Sequence, residues 1–415
     1  MTQVATTPTP LAERSLAPDL ARGTMLLLIA LANTPWFLWT ATRSELQTTM
    51  HAIDGSLADQ IAQGFIIVVA DVRTYPMFAF LFAYGIGQLY ARQAAKGVPE
   101  PATRRLLQRR HLWLLAFGFV HAALLWSGDI LGTYGLAGLI LVPLFLRRSD
   151  TVLKVWIIVL LGIGAVVSSF TVFSGMYVPP GLAGGGAGEQ AFALPDPYAD
   201  PNYLTSMVSR LAMWVFMTPM FAFFTLAVPT AFLIGILAAR HRILDQPGAH
   251  LPLLRRLAVI GIGVSLLGSI PAAYLHLTAP PINEWTFAIA AMYTGVFGGV
   301  GYAALFGLLA VRLQRTGRTP VTVVALAALG RRSLSGYLAQ SVLFIPLLAA
   351  FGIGFGAHLS SWSVALLAVV TWLLTVLGAY WLDQRGMRGP AEVLLRRLTY
   401  RRSKADGLAA SNEVN

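Results

Sequence analysis

The chain contains no cysteine, which excludes disulfide bridges, thiolate metal sites and a cysteine nucleophile. Charge is also scarce. Of the 415 residues 12% are charged and 56% hydrophobic, whereas soluble domains carry about 25% charged residues. That leaves too little polar surface to clothe a water-soluble globule of this size. Lysine is nearly missing, with only Lys96, Lys154 and Lys404 present, so the formal net charge of +12 is carried by arginine. No H-x-x-x-H or H-E-x-x-H spacing occurs, and no metal centre is expected. The opening "MTQVATTPTPLAERSLAPDLARG" is polar and rich in Thr and Pro, without the pattern of a signal peptide.

What is present is a series of apolar windows close to the ~20 residues that cross a bilayer. They fall at 23–42, 74–91, 112–128, 130–146, 152–172, 213–239, 257–276, 285–311, 333–352 and 361–382. The expected fold class is all-α, a polytopic helical membrane bundle of about ten transmembrane helices. A tail at 1–21 precedes a single helical domain at 22–400, which carries an outer loop at 173–206, and a second tail covers 401–415. Residues 56–72, interrupted by Asp and Gln, predict an interfacial or re-entrant helix. On the alternating segments the arginines collect on one side, leaving Arg43, Arg73 and Arg210 on the other. The positive-inside rule then places both termini in the cytoplasm of a bacterial inner membrane. The basic excess reads as topology, and nucleic acid is not an expected partner.

Polar residues inside such windows are costly. An ionised Asp at a helix centre costs roughly 2.5–3.5 kcal/mol on translocon scales. "FGFVHAALLWSGDIL" nevertheless holds His121 and, eight positions on, Asp129. On an unbroken helix they would lie about 12 Å apart along the axis, so direct contact requires the Gly128 turn to fold Asp129 back; otherwise Arg73, a water or a substrate must bridge them. Arg22 and Asn33, eleven apart, share one face of the first window. Asn33 is either a mid-membrane helix-to-helix hydrogen bond or part of a site. Trp126 lies between the histidine and the aspartate and Tyr134 follows them, and the ninth window, "ALGRRSLSGYLAQSVLFIPL", is the most polar, with Ser333, Ser335, Tyr337, Gln340 and Ser341. His111, His241 and His250 fall in basic segments and are expected to be solvated. The glycine runs read as close-packing helix faces, not phosphate loops.

"DLARG" followed by Asn33, "FAFLFAYGIG", "HAALLWSGDILGTYGLAGLI", "GRRSLSGYLAQS" and "RGPAEVLLRRLTY" together resemble the YeiB-like bacterial membrane proteins, in that family's order. The resemblance implies a place in the transmembrane acyltransferase superfamily, beside bacterial O-acetylating enzymes and the lysosomal heparan-glucosaminide acetyltransferase. The wider link is carried by Arg22-Gly23 with Asn33. The O-acetylating branch has histidine where this chain has Asn33, so its mechanism does not transfer directly, and His121 is the best placed imidazole.

Acyl transfer from a cytoplasmic acyl-CoA is therefore the leading expectation. Arg104, Arg105, Arg109, Arg110, Arg331 and Arg332 are candidates to meet its phosphates. His121, Asp129 and Asn33 are the catalytic candidates. Arg22, Arg73, Trp126, Tyr134, Tyr337 and Gln340 are candidates to line a substrate site. A small-molecule, glycan or lipid acceptor, the bilayer and a second copy of the chain are the expected partners. The alternatives are a proton- or anion-coupled carrier, since intramembrane His, Asp and Arg also build such sites, and a non-catalytic scaffold.

Overall fold

The computed structural model describes residues 15–43, 49–178, 196–279, 282–317 and 319–400. Among them the chain is helical, with no strand. Seven helical stretches are long and apolar enough to cross a membrane: Leu16–Phe37, Leu57–Ala95, Asp150–Tyr177, Tyr203–Phe224, Pro247–Thr278, Trp285–Thr316 and Ser361–Gln384. Glu100–Leu124 is 25 residues long, and Ile130–Phe145 and Ser333–Leu348 are shorter apolar helices. Helices thus stand at each of the ten predicted windows. Most of the expected tails and the middle of the 173–206 loop lie outside the described residues. The first helix begins at Leu16, inside the segment expected as tail, and the helix Asp150–Tyr177 extends into the expected loop.

Arginine marks one end of the bundle. Arg240 pairs with Asp150, Arg147 with Glu100, and Arg331 and Arg332 with Asp383. At the opposite end Arg43 pairs with Asp196 and the Tyr203 hydroxyl donates to the Leu124 carbonyl. Asp150–Tyr177 keeps its apolar side chains outward, with Ile158, Val166 and Phe170 about two-thirds exposed at 68%, 70% and 70%. A helix that apolar and that uncovered is stable only against lipid.

Two of the helical stretches are broken, one of them where the sequence reading already parts 56–72 from the 74–91 window. The first is Leu57–Ala95, where helix Leu57–Val69 stops and helix Thr74–Ala95 starts. Val72 between them sits at φ 52°, a left-handed conformation that is strained for a β-branched residue. Arg73, only 1% exposed, supports the break by donating to the carbonyls of Ile67, Asp71 and Ser265 and to the Ser265 hydroxyl. Carbonyls released by a broken helix need such donors where water is absent. Ser265 lies thirteen residues from the end of Leu251–Thr278, roughly 20 Å along that helix. Arg73 is therefore deep in the bundle, a correction to its expected place at a membrane edge. The polar residues that argued against a crossing by 56–72 are satisfied there: Asp59 accepts from Ser56 and from the Trp362 amide, and Gln63 donates to Ser361.

The second break lies in the predicted 213–239 span. Helix Tyr203–Pro219 passes through a π-helical turn, Met220–Phe224, to Leu226 at φ 56° before Ala227–Arg240 begins. Pro219 removes a ladder donor at that point. The continuations of the two broken stretches, Thr74–Ala95 and Ala227–Arg240, pack together at the centre. Gly235 lets its backbone approach the Phe80 carbonyl where any Cβ would collide, the small-residue contact that membrane helices use in place of a hydrophobic drive.

Candidate functional site

His121 stands in the last turn of Glu100–Leu124, where its carbonyl accepts from the amides of Leu125 and Trp126 and closes the helix. Asp129 then caps Ile130–Phe145, its carboxylate accepting from the Gly132 amide at 2.6 Å. An acceptor at the N-cap is what a helix start requires. Here the cap also folds back over the preceding helix: His121 Nδ1 lies 2.8 Å from Asp129 Oδ1. The direct contact that an unbroken helix forbids is made by the turn at Gly128. Gly118, nearly one turn before His121, makes the room, because a Cβ there would run into the Asp129 carboxylate and Gly132. Trp214 Nε1 approaches the second carboxylate oxygen at 3.4 Å.

On its other side, His121 Nε2 lies 2.9 Å from Ser341 Oγ. An ionised carboxylate only accepts, so the neutral imidazole consistent with both bonds carries its proton on Nδ1 and accepts from Ser341 at Nε2. Ser341, His121 and Asp129 are all buried, at 6%, 3% and 4% exposure. The order hydroxyl, imidazole, carboxylate is the order of an activated nucleophile, its base and the group that orients the base. The Tyr337 ring packs edge-on against the imidazole at 5.1 Å between centroids.

Two cavities approach this chain from opposite ends. A cavity of about 280 Å³ opens toward the basic end and is lined by Arg22, Arg92, Arg110, Arg331, Arg388 and Arg396, with Asp19 and Glu392 as its carboxylates. A larger one of about 760 Å³ faces the opposite end; Asp71 and Asp129 line it together with Asn33, Trp36, Tyr75 and Trp126. Ile130 and Tyr134 line both, so these two residues form the wall between them.

The expected residues divide accordingly. Arg22 lines the basic cavity and Asn33 the other, about 16 Å along one helix face. Asn33 ends its helix just before Pro35 and so is not in mid-helix. Trp126 and Asp129 line the larger cavity, Tyr134 both, and Tyr337, Arg110 and Arg331 the basic one. His121 and Ser341 line neither and lie behind Asp129 and Tyr337. Gln340 donates to the Leu26 carbonyl. Arg73 is held at the helix break rather than against Asp129. Arg104 and Arg105 point outward and Arg109 is half-buried; none of the three lines the basic cavity. Arg332 is buried on the Ala328 and Met387 carbonyls and Asp383. Arg92, Arg388 and Arg396 were not anticipated, nor was the pairing of Ser341 with His121. His111, expected in solvent, is buried at 1% against Phe82.

A family model described as "Protein of unknown function (DUF418)" matches residues 238–402. That region includes Tyr337, Ser341, three of the six cavity arginines, Arg331, Arg388 and Arg396, and the cavity carboxylate Glu392, but not His121 or Asp129. The match to curated proteins is longer. The chain is 27% identical to YxaH of Bacillus subtilis (strain 168) over 95% of its own length and 96% of the relative's. It is 25% identical to YeiB of Escherichia coli (strain K12) over 94% and 97%. A 39.9 kDa protein from the amylase 3' region of Bacillus acidopullulyticus is 32% identical over 44% of this chain and 47% of that protein. The chain is an integral membrane protein that matches the DUF418 family over residues 238–402 and is similar along nearly its whole length to YeiB and YxaH.

Proposed function

We propose that this protein transfers an acyl group from an acyl-CoA held in the arginine-lined cavity to an acceptor held in the larger cavity. The observation that carries the reading is the meeting of two chemically opposite cavities at Ile130 and Tyr134, beside the Ser341–His121–Asp129 chain. Arginines suit phosphate oxygens, which they bind by charge-assisted hydrogen bonds. Positive-inside placement puts that cavity in the cytoplasm, where acyl-CoA is found.

In the transfer the thioester C–S bond breaks and a C–O or C–N bond forms. His121 takes the acceptor proton, and the leaving thiolate recovers it. Asp129 orients the ring. Tyr337 touches both the imidazole and the arginine cavity, so movement of this ring gives the thioester its path to His121. Asn33 is the candidate to stabilise the oxyanion; the Tyr134 hydroxyl, the other expected donor, gives its proton to the Tyr75 carbonyl at 2.7 Å. Reconstituted protein given acetyl-CoA on its basic side and mixed hydroxyl and amine acceptors on the other should release free thiol only when acceptor is present. H121A should not do so.

One observation favours a second reading, a carrier. Broken helices that flank a central cavity are the usual architecture of secondary transporters, and residues of both breaks, among them Asp71, Val72 and Phe221, line the larger cavity. Solute uptake into liposomes with no thiol release, unchanged in H121A, would replace the first reading by this one. A cysteine introduced at Pro201, exposed at the end opposite the arginines, reports sidedness in a chain with no native thiol: labelling from outside supports a cytoplasmic arginine cavity.

A further inference from the structure

The larger cavity has a second acid and histidine pair that the transfer does not use. His51 Nε2 lies 2.8 Å from Asp71 Oδ2; the histidine side chain is 2% exposed and the aspartate 23%. The His276 ring lies 5.7 Å from that of His51 and is tied to Thr49 and Gln63. All of these except Gln63 line the cavity. Asp71 belongs to the helix break, and its carbonyl is held by Arg73 at 2.6 Å, so its position is set by the backbone.

The electrostatic balance of this cavity is one-sided. Asp71 and Asp129 line it, and among the described residues no lysine or arginine does. Asp71 meets His51, and Asp129 meets His121, the Gly132 amide and Trp214; the Arg73 guanidinium is held on the backbone carbonyl of Asp71 and does not line the cavity. The rings of Trp36, Tyr75, Trp126, Tyr134 and Trp285 complete the wall, and aromatic faces attract cations in a site shielded from water.

Two further groups call for a ligand. Trp126 is 2% exposed, and its indole N–H has no acceptor among the described residues; the Tyr75 hydroxyl is likewise unpartnered. Buried polar groups left in this way carry a desolvation cost that a bound molecule can remove. The tryptophan needs an acceptor, and the tyrosine can accept from an ammonium.

We propose that the larger cavity binds a primary amine in its ammonium form, with an oxygen acceptor close to the nitrogen, the ammonium held by Asp71 and Tyr75 and the oxygen by Trp126. As an acyl acceptor such a molecule names the substrate class of the proposed transfer, and in that role alone the inference rests on that reading. Amide formation from an ammonium makes the C–N bond, breaks the C–S bond and releases one proton net. One proton leaves to solvent and a second passes through His121 to the departing thiolate.

Binding is tested without any acyl donor, so its failure is separable from failure of the transfer. The full-length protein in detergent is titrated calorimetrically with 3-amino-1-propanol, and with 1,3-propanediol and 3-hydroxypropionate as neutral and anionic molecules of the same size. The amine should bind at least about tenfold more tightly than either, as cation–π and carboxylate contacts together imply. D71N, which keeps a polar partner for His51, should lose that preference. Y75F removes a hydroxyl with no partner, leaves the fold unchanged, and should weaken amine binding several-fold. Equal binding of the three molecules, no amine binding, or full affinity in a folded Y75F together with a folded D71N overturns the proposal. An amine that binds but is never acylated in the presence of acetyl-CoA leaves the site in place and removes the transfer.

Discussion

The two histidine and aspartate pairs make the informative comparison in this molecule. In His121–Asp129 the two side chains are 1% and 0% exposed, and the carboxylate has donors on both oxygens. In His51–Asp71 the histidine is equally buried but the aspartate reaches the cavity. The contacts are the same length, so the difference lies in what surrounds them. A carboxylate enclosed by fixed donors holds an imidazole in one orientation; one left partly open can still receive a ligand. The geometry of the first pair suits positioning and that of the second suits binding.

The largest expected effect separates them. H121A should lower acceptor-dependent thiol release by about 10²–10⁴-fold, the usual contribution of a positioned base, with the protein still folded. H51A, assayed with a hydroxyl acceptor, should stay within about tenfold of the parent. Equal losses in the two variants would erase the distinction drawn between the pairs.

The next effect tests how the buried pair is held. G118A places a methyl group where Asp129 now sits. Overpacking of this kind costs about 1–3 kcal/mol, and the displaced carboxylate should take much of the activity with it while His121 itself is intact. A fully active, undiminished G118A would mean that the His121–Asp129 contact is not needed.

How these pairs arise explains what was legible in the sequence. The long apolar runs and the sorting of arginines marked the helices, because a bilayer imposes length and sidedness on any sequence that crosses it. The break inside the 213–239 window was not legible, and at the first break, where 56–72 and 74–91 read as separate elements, the support was not. The first is stabilised by Arg73 reaching Ser265, a partner 192 residues away, and no local pattern reports that. Asp59 and Gln63 made their helix look unfit to enter the bundle, yet the Trp362 amide and Ser361 satisfy them. At the site, His121 and Asp129 stood out by their cost in an apolar stretch, but Ser341 was one hydroxyl among several in a polar window. Only packing of Ser333–Leu348 against Glu100–Leu124 selects it. The arginines show the same limit: "RRLLQRR" places four together, and helix rotation admits Arg110 alone to the cavity wall.

That division supplies a third test. R110Q combined with R331Q should weaken CoA binding several-fold, and the loss should shrink as salt rises, because screening already weakens that attraction in the parent. Asp383 keeps Arg332 as a partner in that variant. R104Q combined with R105Q removes the same charge from outside the cavity and should leave CoA binding unchanged. Equal effects of the two double variants would make the arginines a diffuse field with no site among them.

The smallest effect lies at the edge of the arginine cavity and has opposite signs in two measurements. Thr399 lines that cavity and is 4% exposed, and its hydroxyl has no partner among the described residues. Valine has nearly the same shape without the hydroxyl. Removing an unsatisfied buried group relieves its desolvation cost, so T399V should gain a few tenths to about 1 kcal/mol of stability in the free protein. With CoA bound, the threonine hydroxyl has phosphate oxygens within its cavity to donate to, and the parent recovers that cost. Added CoA should therefore raise the melting temperature of the parent by more than that of T399V. If valine lowers the stability of the free protein, the hydroxyl already has a partner and the cavity is not waiting for an anion at this position. If both proteins gain equally from CoA, the phosphates lie elsewhere along the arginine wall, nearer Arg22 and Arg110 than the helix Pro390–Thr399.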